Sequence, residues 1–143
     1  MPSATQDSQL NALTLEVIGA DLNYIVREMR STVIRMAYSP ILTETHDFSC
    51  AITNTKGEIV AMNVDVPFHM FAVRFAVDTV VNKYGDDINP GDQFFVNDPW
   101  QVGAHLNDTT LVMPYFYEGE LLLWLACGVH YGDVGGTVPG SAS

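Results

Sequence analysis

Two strand-like runs separated by only two residues constrain this chain most. Thr109-Thr-Leu-Val-Met-Pro-Tyr-Phe-Tyr117 and Glu120-Leu-Leu-Leu-Trp-Leu-Ala-Cys127 flank Glu118-Gly119, and so short a connector containing glycine commits its flanks to an antiparallel hairpin. Pro114 cannot donate to a ladder, so its strand lies at an edge or a bulge. The second run is apolar at consecutive positions from Leu121 to Cys127, which predicts a strand buried on both faces.

The rest of the chain supplies what must cover that hairpin. Leu15, Ile18, Leu22, Ile25, Val26, Met29, Val33 and Met36 recur at spacings of three and four, the stripe of an amphipathic helix with Thr14 as N-cap and Pro40 as stop. Phe48–Ile52 and Glu58–Met62 read as strands joined by the turn Asn54–Gly57. Met70, Val73, Val77, Val80 and Val81 return to helical spacing, and a short strand follows at Gln93–Val96. Met29, Met36 and Met70 read as core packing. The expectation is an α+β domain with a mixed sheet, β-hairpins and two main helices, preceded by a flexible N-terminus over residues 1–12. Two helices are few for a sheet that also carries Phe94, Phe95, Phe116 and Trp124, so the core should be incomplete and pack against further protein.

Charge narrows the function. With 17 Asp and Glu against 6 Lys and Arg the net charge is −11, and affinity for phosphate backbones or anionic lipid needs clustered cations. Lys83 is the last basic residue, and the 60 residues from Tyr84 onward carry eight carboxylates and nine of the eleven glycines. Cys50 and Cys127 sit in apolar segments away from metal-ligand spacing and read as buried free thiols of a reducing compartment. The polar N-terminal residues lack signal-peptide character, and the longest apolar run, Leu121–Val129, is too short to span a bilayer. A cytosolic location is expected.

The chemistry concentrates at one end of the late hairpin. His105 and Asp108 precede its first strand, and pairing around Glu118-Gly119 places His130 opposite position 107. Two imidazoles and a carboxylate suit a divalent ion such as Mn, Fe or Zn, with positions left for water or substrate. Asp98 and Asp133 can orient the imidazole N–H groups or add ligands. A local hydrogen bond or helix cap is the competing account of the His105/Asp108 pair. For His69 the competing role is a satisfied core histidine, and His46 and Asp47 suit a cap or turn. No Gly-rich loop followed by Lys-Ser/Thr, dinucleotide fingerprint or Gly-x-Ser-x-Gly elbow occurs. ATP, if used, belongs to another subunit.

A series of motifs then resembles a known family. Arg35-Met-Ala-Tyr-Ser-Pro40, Asp47-Phe-Ser-Cys-Ala51, Gly57-Glu-Ile-Val-Ala61, Pro67-Phe-His69, Pro90-Gly-Asp92, Asn97-Asp-Pro99, Gly103-Ala-His-Leu-Asn-Asp108 and His130-Tyr-Gly-Asp-Val-Gly-Gly136 are similar to the N-terminal part of the hydantoinase B family. That family includes B subunits of ATP-dependent hydantoinases, the matching part of 5-oxoprolinase, and alpha-type subunits of acetone and acetophenone carboxylases. The resemblance implies that residues 13–143 are the N-terminal portion of a B-type catalytic domain. It implies an actin-like, A-type partner subunit that binds ATP and Mg and phosphorylates a carbonyl, and a divalent metal, Mn foremost with Zn or Fe as alternatives, held by His105, Asp108 and His130. Asp133 and His69 are the candidates for moving protons in ring opening of a hydantoin, 5-oxoproline or lactam. A subunit of a biotin-independent ketone carboxylase and a non-catalytic assembly segment are the alternatives.

Overall fold

The computed structural model describes residues 12–63, 65–102 and 105–141. Helices α1 (Ala12–Met36) and α2 (Pro40–Thr43) lead into strands β1 (Phe48–Asn54) and β2 (Ile59–Met62). Helix α3 (His69–Tyr84), strand β3 (Phe94–Val96), helix α4 (Pro99–Val102), and strands β4 (Asp108–Tyr117) and β5 (Glu120–His130) follow. One sheet of order β2-β1-β5-β4-β3 results, an α+β fold. The expected mixed sheet is antiparallel in all four pairings, because two of its four neighbour pairs are tight hairpins and β1 meets β5 head to tail.

The sheet is covered on both faces, by a different helix on each. Ala72, Val73, Ala76, Val77 and Val80 of α3 pack with Ala51, Val112, Trp124 and Ala126. Val26 of α1 packs on the opposite face with Phe48, Cys50, Ile52 and Ala61, flanked by Leu123, Leu125 and Cys127. Alternate residues of β5 thus serve two cores, which explains the apolar run from Leu123 to Cys127; Leu122, expected to be buried with them, is exposed. Each fully buried large apolar side chain of these cores contributes about 1.5–3 kcal/mol.

Several expectations shift. Residues 1–11 of the expected flexible N-terminus lie outside the described residues; Ala12 is already helical, so Thr14 sits inside α1 and is not its cap. The helix ends at Met36, and Pro40 starts the next helix at a first-turn position, where its missing N–H costs nothing. Met36 and Met70 are exposed; small Ala72 and Ala76 let α3 approach the sheet, turning Met70 outward. Leu15 and Ile18 are exposed as well, since α1 packs on the sheet only from Leu22 onward, and Ile25 is exposed because it lies off the Leu22/Val26/Met29 stripe that faces the sheet. Cys50 and Cys127 are free but not isolated, with their sulfurs 3.8 Å apart.

The hairpin register is the shift with functional weight. Glu118 and Gly119 both have positive φ, 51° and 88°, the two-residue turn that matches strand twist. Tyr117 faces Glu120 and Phe116 faces Leu121, but Tyr115 faces Leu123, so Leu122 is an extra residue in a bulge. From there on the pairing is displaced by one, and His130 faces Asp108 rather than position 107. Pro114 lies one residue before the bulge and beyond the β4 residues that pair with β3, so no ladder bond is lost.

Candidate metal centre

The column Trp124, Ala126, Gly128 and His130 runs along the α3-facing side of β5, diminishing from indole to hydrogen before ending in an imidazole. Opposite it on β4 stand Pro114, Val112, Thr110 and Asp108. The apolar core therefore gives way to polar side chains at one end of the sheet. There His130 Nδ1–H donates to Asp108 Oδ1 at 2.6 Å; a carboxylate only accepts, so the bond leaves the Nε2 lone pair free.

His105 comes from the connector. Its backbone N–H donates to Asp108 Oδ2 at 2.9 Å, Asp108 N–H donates to the His105 carbonyl at 3.1 Å, and His105 Nδ1 stands 3.3 Å from Asp108 Oδ2. One ligand-capable atom from each of His105, Asp108 and His130 lies within 4.8 Å of the others. The side chains grade outward, 8% exposed at Asp108, 26% at His130 and 81% at His105. Asn107 latches the end of the hairpin, its carbonyl accepting from Tyr131 N–H and its side-chain amide donating to the Tyr131 carbonyl. Two imidazoles around a carboxylate, in a chain without Lys or Arg beyond Lys83, form a donor set that fits a divalent transition ion.

His69, the first residue of α3, is buried against Gly128, where an added Cβ would stand 3.7 Å from its ring. Its Nε2 is 3.8 Å from Asp47 Oδ1, and its Nδ1 has no hydrogen-bond partner among the described residues. Burial holds its pKa below the ordinary histidine value; the Asp47 and Asp108 charges oppose that, and His130 adds to it. The imidazole is therefore neutral near pH 7. Asp47, expected only to cap or turn, belongs to this group: its carbonyl accepts from His130 N–H, and its carboxylate points at His69. The signal that would have found it, the pairing of β1 with β5, joins segments some 80 residues apart and leaves no trace in local spacing.

Asp98 and Asp133 are engaged elsewhere. Asp98 Oδ1 accepts from Trp100 N–H and starts α4. Asp133 accepts from Gly135 and Gly140 N–H and from the Ser141 hydroxyl, bonds that hold its carboxyl below the usual range. Neither bonds an imidazole among the described residues, because backbone amides within their own loops reach them first; the acceptor for His130 is Asp108 itself. Gly103, the first residue of the motif that carries His105 and Asp108, lies outside the described residues.

Residues 11–143 match the family described as hydantoinase B/oxoprolinase. The chain is 34% identical over 130 residues to caprolactamase subunit beta of Pseudomonas jessenii, across 91% of this chain and 22% of that one. It is 32% identical over 139 residues to 5-oxoprolinase of Dictyostelium discoideum, across 97% of this chain and 11% of that one. The crystal structure of the ATP-dependent caprolactamase from P. jessenii matches with a TM-score of 0.84 at 33% identity, across 92% of this chain and 23% of that chain. A nucleotide-free acetone carboxylase structure shares the fold, with a TM-score of 0.76 at 24% identity across 88% of this chain and 17% of that chain. The chain spans about a quarter or less of the length of these relatives.

Proposed function

The chain belongs to the hydantoinase B/oxoprolinase family, and from that premise we propose that residues 13–143 form the metal-holding N-terminal portion of the B-type catalytic subunit of an ATP-dependent cyclic amidohydrolase. The carrying observation is the carboxylate of Asp108 set between the imidazoles of His105 and His130. Relatives at 32–34% identity named for caprolactam and 5-oxoproline support a cyclic amide as the substrate class. In this reading His105, Asp108 and His130 hold a divalent ion, Mn foremost, in a cytosolic assembly, and an A-type partner binds ATP and Mg and phosphorylates the ring carbonyl.

A divalent ion at such a site supplies Lewis acidity toward an oxygen and lowers the pKa of water. The protein's own residues do the rest. Asp108 is fixed by the His105 backbone N–H and by His130, so both imidazoles are held to one carboxylate before substrate arrives. Neutral His69 keeps its hydrogen on Nε2, the nitrogen that faces the Asp47 carboxylate, so its Nδ1 lone pair is the one that accepts a proton, and Asp47 stabilises the imidazolium that forms. With no Lys or Arg after Lys83, this part of the chain has no cationic side chain to offer a triphosphate, which is in keeping with ATP binding by the partner.

The test uses the complete B-type polypeptide co-expressed with its A-type partner. His105→Ala and Asp108→Asn should each abolish stoichiometric divalent ion, measured by plasma mass spectrometry. Each should lower ATP-dependent opening of caprolactam or 5-oxoproline by about 100-fold or more. Wild-type protein without a divalent ion, together with full turnover by His105→Ala, would overturn the reading. Bicarbonate-dependent ATP consumption with a ketone alone would replace it with carboxylation, and inactivity on every substrate class in a stable complex would leave an assembly role.

A further inference from the structure

Cys50 of β1 and Cys127 of β5 are directly opposed in the sheet. Cys50 N–H donates to Asn63 Oδ1 at 2.9 Å, and Asn63 N–H donates to the Cys50 carbonyl at 3.1 Å. Both backbone groups of Cys50 therefore point away from β5. That makes Cys50 and Cys127 a non-hydrogen-bonded antiparallel pair, whose Cα atoms stand about 4.5 Å apart, within the roughly 4.4–6.8 Å that a disulfide spans. The thiols are free and 3.8 Å apart on the α1-facing side of the sheet.

Access to the two is unequal. Cys50 is fully buried, whereas Cys127 is half-buried and lines an apolar depression of about 270 Å³ with Met29, Leu111, Met113 and Leu125. The Cys50 S–H donates toward Cys127 sulfur, which holds the Cys127 thiol below its ordinary value, while that bond and burial push Cys50 up. Cys127 is thus the sulfur that small oxidants reach, and it carries more thiolate than its neighbour.

We propose that Cys50 and Cys127 are an oxidisable thiol pair that low-molecular-weight disulfides convert to a cross-strand disulfide. The Cys127 thiolate attacks one sulfur of the small disulfide, breaking its S–S bond, releasing one thiolate and leaving a mixed disulfide on Cys127. Cys50 then loses its proton to the released thiolate and attacks Cys127 sulfur, expelling the second small thiolate, which takes a proton from water. Two protein thiols are oxidised and one small disulfide is reduced to two thiols. The new bond fastens β1, which follows Asp47, to β5, which ends at His130, three rungs from the candidate metal centre.

Hydroxyethyl disulfide is the probe, applied to the folded complete polypeptide, with alkylation and non-reducing peptide mapping as readout. The expected product joins the tryptic peptide spanning 36–56 to the one beginning at Tyr84, with both thiols lost together and recovered by dithiothreitol. Cys50→Ser should stop at the hydroxyethyl adduct on Cys127, and Cys127→Ser should leave Cys50 unreacted. Should either variant misfold, the wild-type map decides alone. Two alkylatable thiols retained at equilibrium, a mixed disulfide that accumulates unresolved on wild-type Cys127, or cross-linking only after denaturation would each overturn the proposal.

Discussion

Arg30 joins α1 to the segment leading into α3. Its guanidinium donates to both oxygens of Asp65 at 2.7 and 2.9 Å and approaches His46 Nδ1 at 3.3 Å, and Asn63 donates to the same carboxylate. A partly buried two-point pair within a network is the case in which an ion pair contributes measurably. Asp65→Asn should cost about 1 kcal/mol in chemical denaturation. Arg30 holds the Asp65 carboxyl below the usual range, so the unfolded chain takes up the proton first as pH falls. The contribution is complete above about pH 4 and disappears as pH drops through the depressed folded value. Thermal melts from pH 7 to 3 should show that slope in wild type and lack it in Asp65→Asn. At this scale the sequence was legible where partners are close: His105 and Asp108 are three apart, and their pairing was readable. Arg30 and Asp65 are 35 apart across a helix-to-strand passage, and nothing in spacing linked them.

The β4–β5 hairpin shows how an element can be read correctly and still mislead about a site. Its strands, its turn and the importance of Pro114 were readable from apolar runs and Glu118-Gly119. The bulge at Leu122 was not, because one more leucine in an apolar run carries no mark of its own. Yet without the bulge, His130 would face position 107 and lie on the opposite face of the sheet from Asp108, since a one-residue slip reverses every side chain. Deleting Leu122 removes only the extra residue, so the His130/Asp108 opposition and divalent-ion binding should survive. Inserting one alanine between Gly128 and Val129 should turn His130 away and abolish binding, as titration calorimetry would record. The same β5 column carries Trp124, fully buried against Phe94 and α3. Trp124→Ala should cost about 3–5 kcal/mol, measured by denaturant unfolding.

Over the whole molecule the apolar surface is unevenly finished. Leu13, Leu15, Val17, Ile18 and Ile25 of α1 are exposed, as are Phe71, Phe95 and Trp100, the last at 94%. Large apolar side chains left in solvent on both sides of the sheet, on α1 and on α3, β3 and α4, are surface that other protein would cover. The 143-residue chain alone should bind hydrophobic dye and self-associate in light scattering despite its charge of −11, and co-expression with the rest of the B-type subunit proposed above should suppress both. A monomeric chain without dye binding would contradict this. Among the described residues no helix is long and apolar enough to cross a membrane. By itself the sequence determined what depends on neighbours along the chain: helix and strand periods, the hairpin turn, the His105/Asp108 spacing, the withdrawal of cations from the last 60 residues, and the family's ordered motifs. The tertiary structure alone decided that β1 lies between β2 and β5. It likewise decided that Asp47 and His69 meet beside the cluster, that Cys50 faces Cys127, and that a bulge takes Leu122 out of the pairing so that His130 faces Asp108. Those outcomes depend on strand order and register, set by packing summed over the whole sheet, and alternation along any one strand is compatible with more than one such choice.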